Sequence, residues 1–73
     1  MLKLSEVKGH KLPYVIDYIT TTKKVGLWNI EERSHGFYQA VFVNTHAGVT
    51  IREIRVLFND RNQACAVNDW EEE

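Results

Sequence analysis

Seventy-three residues, 44 % of them hydrophobic, allow one small globular domain and argue against disorder. A formal net charge of −1 and a pI of about 6.3 speak against the strongly basic balance of most nucleic-acid binders. A single cysteine, Cys65, excludes an internal disulfide framework.

Other bulk features set expectations about setting. The opening Met-Leu-Lys-Leu has no apolar signal-type stretch behind it, and no apolar run reaches 18 residues, so a cytoplasmic chain with no membrane contact is expected. A core this small gains burial from a second copy, so a homodimer is expected as well. Charge is unevenly spread. Residues 1–68 hold all nine Lys and Arg against six acids, whereas Asp69-Trp-Glu-Glu-Glu73 holds four acids and no base. The expected organisation is one domain over 1–68 followed by an acidic C-terminal tail over 69–73.

Along the chain, Leu2, Leu4 and Val7 suit a short strand or a lead-in turn that ends at Gly9. Residues 12–22 carry two patterns at once. Leu12, Val15, Ile16 and Ile19 recur at helical spacing behind Pro13, while two Tyr and Thr20-Thr21-Thr22 prefer a strand. The balance favours a strand over about 14–21. Lys23-Lys24 reads as a turn and Val25–Glu32 as a second strand. Arg33-Ser-His-Gly36 has the composition of a four-residue hairpin loop.

That loop leads into the most apolar stretch, Phe37-Tyr-Gln-Ala-Val-Phe-Val43. Phe37, Gln39, Val41 and Val43 alternate with Tyr38, Ala40 and Phe42, so both faces are apolar and a central strand covered on two sides is predicted. After a turn at Asn44–Gly48, Thr50 and Glu53 stand at capping-box spacing, and Val49 and Ile54 at hydrophobic-staple spacing. Ile51, Ile54, Leu57 and Phe58 then share a helical face, whereas a strand would mix Ile51 with Glu53 and Arg55. A helix over 51–60 is predicted. Asn59–Asn62 reads as a turn and Gln63–Val67 as a last short strand. The fold class expected is α+β: a small antiparallel three- to four-stranded meander with one helix packed on a face.

Groups that could carry chemistry are scattered. His10, His35 and His46 lie in predicted turns and form no local pair with each other or with Cys65, so no metal and no other cofactor is expected. Cys65 between Ala64 and Ala66 reads as a small buried core residue. No serine sits in a nucleophile elbow, and the adjacent Glu31 and Glu32 cannot converge on one substrate from a strand. The chain is therefore expected not to be an enzyme.

Binding is what remains. Trp28, Arg33, His35, Arg52, Arg55 and Trp70 are the candidate partner-binding residues, because Trp and Arg dominate interface energetics and the loop and helix would present the rest. The sequence favours a non-catalytic protein-binding module, a small regulator, inhibitor or adaptor. The alternative is a sheet that binds single-stranded nucleic acid, stacking bases on Tyr14, Tyr18 and Trp28 with Lys and Arg around them. Trp28, beside Leu27 and Ile30, also suits a place in the core.

Overall fold

Four antiparallel strands form one meander sheet: β1 (Gly26–Glu32), β2 (Tyr38–His46), β3 (Val49–Phe58) and β4 (Ala64–Glu71), in the order β1-β2-β3-β4. This is a computed structural model, and it describes residues 1–72. A single helix, α1 (Leu12–Tyr18), packs on one face, giving the small α+β architecture that the sequence predicts. No helix among the described residues is long and apolar enough to cross a membrane.

Two segments exchange their predicted states. Residues 12–18 are helical, not extended: Pro13 sits in the first turn, and the Leu12, Val15, Ile16, Ile19 stripe faces the sheet, with Val15 and Ile19 fully buried. The threonines do not make it a strand. They sit in a wider π-type turn, Ile19–Lys23, that closes at Lys24 in the left-handed conformation. The Thr20 and Thr21 hydroxyls there donate back to the Ile16 and Asp17 carbonyls.

The predicted helix over 51–60 is strand β3. Its alternation wins over the helical stripe because Ile54, Val56 and Phe58 all point to the core and are fully buried. The hairpin before it starts the pairing, and an irregularity at Ile51, between the Thr45–Thr50 and Asn44–Arg52 pairs, shifts it by one residue to the register of the core rows. His46 pairs with Val49 across Ala47-Gly48, whose φ values of 52° and 80° are those of a primed two-residue turn. Thr50 and Glu53 therefore stand two rows apart on a strand and cap nothing.

The C-terminal residues also differ from expectation. Asp69, Trp70 and Glu71, read as the start of the acidic tail, belong to β4, and Glu72 N–H still donates to the Ile51 carbonyl at 2.8 Å. Glu73 lies outside the described residues. At the other end the chain takes the lead-in turn of the two expected forms, a 3-10 turn over Leu4–Glu6 that brings Leu2 and Val7 into the core. Cys65 is half-buried: Leu57 pairs with Ala66 and Phe58 with Ala64, so Cys65 is the extra residue of a bulge.

Cross-strand register sorts the sheet into two faces. Under α1 lie three rows: Glu32–Tyr38–Phe58–Ala64, Ile30–Ala40–Val56–Val67 and Leu27–Phe42–Ile54–Asp69. Their β2 and β3 members make most of the core with Val7, Val15, Ile19 and Val25. Tyr38 and Phe58 stack at 4.9 Å between ring centroids, and burial raises the Tyr38 pKa.

One polar group sits at the edge of this core. The Asp69 side chain, 1 % exposed, accepts from Arg52 Nη2 at 2.9 Å and from the Leu2 N–H at 2.7 Å. Burial pushes its pKa up. The Arg52 guanidinium and the Leu2 N–H outweigh that and hold it below the ordinary carboxylate value. Arg52, in return, is held charged above its usual range by Asp69.

Candidate functional site

The same register builds the opposite, uncovered face. Its rows are Glu31–Gln39–Leu57–Ala66, Asn29–Val41–Arg55–Asn68 and Gly26–Val43–Glu53–Trp70. Glu53 and Arg55, which argued against a strand, both stand on this face, and Ile51 is the unpaired residue of an irregularity: a sheet surface without a helix tolerates charge.

Arg55 organises the centre. Its Nε bonds Glu53 at 3.0 Å, and its Nη1 reaches Glu31 and Gln39, each at 3.1 Å. Glu31 stands on β1 and Arg55 on β3, so the guanidinium spans β2. Val41, the member of β2 paired with Arg55, is fully buried although no helix covers it. Arg33 extends the lattice from the β1–β2 loop, donating to Gln39 and lying 3.5 Å from Glu31. The Glu53 carboxylate keeps Arg55 charged above its usual pKa.

Trp70 flanks this lattice on β4 and is 51 % exposed. It pairs with Glu53, so an apolar ring stands next to the charged network. The arrangement combines a fixed guanidinium fork, paired carboxylates and an indole on a rigid sheet. It can offer the indole as an aromatic anchor beside carboxylates with lone pairs to spare, the Arg55 fork being already taken up by Glu53, Glu31 and Gln39.

The six candidate residues fall in different places. Arg33, Arg55 and Trp70 share the uncovered face or its rim. Arg52 lies on the helix-covered side, held by Asp69 as a structural ion pair. His35, with a φ of 59°, is exposed in the β1–β2 loop, where Gly36 (φ 80°) passes so close to Asp60 that a Cβ would stand 3.2 Å from its Cβ. Trp28 is 64 % exposed rather than core, the unpaired residue of a bulge between Leu27 and Asn29.

The aromatic platform of the nucleic-acid alternative is not assembled on the sheet. Tyr14 and Tyr18 are on α1, where His10 stacks on Tyr14 at 3.8 Å and Tyr14 on Tyr18 at 6.0 Å. Tyr18 donates to Glu6, which also accepts the Lys3 N–H and pairs with Lys23 at 3.0 Å. The Lys3 N–H first, then Tyr18 and Lys23, hold the Glu6 pKa down at about 2.

Sequence reasoning missed Glu31, Gln39, Val41, Glu53 and Leu57 as members of this surface. The available signal was the period-two pattern of residues 49–58, but the partners of Arg55 stand 16 and 24 positions away. Apart from this face, a groove of about 620 Å3 opens between the start of α1 and β1 and is lined by Leu12, Pro13, Ile30 and Tyr38 with Lys11, Glu32 and Asn62. No group of three or more His, Cys, Asp or Glu that could hold a metal occurs among the described residues. No family model matches the chain, and neither the curated proteins nor the solved structures contain a detectable relative.

Proposed function

We propose that this chain is a non-catalytic protein-binding module, a small regulator, inhibitor or adaptor that engages a partner protein through the uncovered face of its sheet. One observation carries the reading: Trp70, half-exposed, is paired across the sheet with Glu53, whose carboxylate holds a guanidinium that Glu31 and Gln39 also fix in place. Trp and Arg are the side chains that most often dominate binding energy, and a pre-ordered Arg loses little further entropy on docking. The chain acts in the cytoplasm, a reducing setting that suits its single free thiol, and as a homodimer.

The test is affinity capture on the tagged chain, with and without nuclease, comparing wild type with Trp70→Ala. A protein retained after nuclease and lost with Trp70→Ala supports the reading. Retention that ignores the substitution moves the interface elsewhere, and loss of all bound material with nuclease replaces a protein partner with nucleic acid.

A further inference from the structure

The layer under α1 ends before it reaches β1. Leu27 and Ile30 stand in the same rows as the fully buried Phe42 and Ala40, yet they are 40 % and 42 % exposed. With Trp28, three of the seven large apolar side chains exposed on the described surface lie on this one edge strand. Soluble proteins usually guard such an edge with charge or cover it.

We propose that β1 is the surface through which two copies of this chain associate, side by side and antiparallel, about a two-fold axis at Trp28. The proposal rests on the homodimer in the reading above and locates its interface. Two observations select a second copy as the occupant. The first is charge. Lys24 precedes the strand and Glu32 ends it, both are exposed, and neither has an ion-pair partner among the described residues. Trp28 is midway between them in sequence, so an antiparallel copy centred there sets Glu32 opposite Lys24 of its mate twice over.

The second observation is the bulge at Leu27/Asn29. A regular strand cannot follow this edge along its whole length, because the irregularity interrupts pairing in the middle. A second copy carries the same irregularity at the same point, and a two-fold centred on it aligns the pair. Such an axis is perpendicular to the sheet. It joins two four-stranded sheets into one and leaves both helices on the same side, with Leu27 and Ile30 of each copy meeting in the gap between them. The contact is narrow, so association in roughly the micromolar range is expected.

Sedimentation equilibrium on the full chain tests this. Trp28→Ala should raise the dissociation constant about a hundredfold, since each dimer loses two central aromatics, and circular dichroism should show an unchanged fold. Lys24→Glu and Glu32→Lys should each weaken the dimer about tenfold or more by making both ion pairs repulsive. Mixing those two variants in equal amounts should restore wild-type affinity, because both pairs become attractive again in the heterodimer. A dimer indifferent to all three substitutions, or a mixture no tighter than its components, overturns the β1 interface and leaves the homodimer standing. A chain monomeric at millimolar concentration overturns both, without touching the protein-binding face at Trp70.

Discussion

Val41 and Phe42 are neighbours on β2 and both are fully buried, but by different means. Phe42 lies under α1 among Ile54, Val56 and Ile19, in apolar packing that excludes water. Val41 faces the other way and is covered by the Arg55 side chain on its way to Glu31. One face is sealed by side chains that have nowhere better to go. The other is screened by a guanidinium held in place by two carboxylates and an amide that water also reaches, so its cover is polar and partly exposed. The difference separates the side that holds the fold from the side proposed for binding.

The contrast breaks most clearly at Phe42. Phe42→Ala should cost about 3–5 kcal/mol in urea unfolding, because the site lies between sheet and helix and cannot collapse. Val41→Ala should cost markedly less, since the Arg55 side chain can settle and water can enter. Equal losses at the two positions would mean that both faces are packed alike.

Asp69 comes next. Asp69→Ala leaves Arg52, whose side chain is 14 % exposed, without its main partner and frees the Leu2 N–H, for an expected loss of about 3 kcal/mol. Replacing both members, Arg52→Met with Asp69→Leu, should recover most of that, and a double-mutant cycle reads the coupling.

Acid sharpens the comparison through two carboxylates that belong to the fold and not to the uncovered face. Glu6 and Asp69 both ionise more readily folded than in ordinary peptides, Glu6 at about 2. Their stabilisation is complete above about pH 5 and drains away as the pH falls through the folded values. Thermal scans should show the melting temperature dropping between about pH 5 and 2. Asp69→Asn should flatten that drop.

On the uncovered face the effects on stability should be small. Arg55→Met removes a partly exposed network and should cost no more than about 1 kcal/mol, partly offset because the Met side chain can still cover Val41. Trp70→Ala, half in solvent, should stay within about 0.5 kcal/mol of wild type while lowering partner affinity tenfold or more. A Trp70 variant that unfolds would make this side a second core.

Much of the architecture was written locally. The alternation of Tyr38, Ala40 and Phe42 makes β2 an interior strand in any register that buries them, and the composition of Arg33–Gly36 and Asn59–Asn62 forces the chain to reverse there. The chain between those points needed more. Residues 12–22 and 49–58 each carry both a helical and an extended pattern, and local preference differs between the two states by too little to decide. Pairing decided. Once β2 presents a free edge, residues 49–58 gain a full ladder of hydrogen bonds and bury Ile54, Val56 and Phe58 on it, which no isolated helix could match. The sheet then exposes an apolar face, and the stripe of Leu12, Val15 and Ile19 covers it as a helix.

By itself the sequence determined the class of fold, the interior strand and the two loops that bracket the hairpins, because these depend on residues within a few positions of one another. Tertiary structure alone decided which ambiguous segment became helix and which became strand. It also decided that Arg52 serves the fold while Arg55, three positions on, serves the surface. The two arginines differ by an odd number of residues on a strand, and only a settled register says which face that parity reaches.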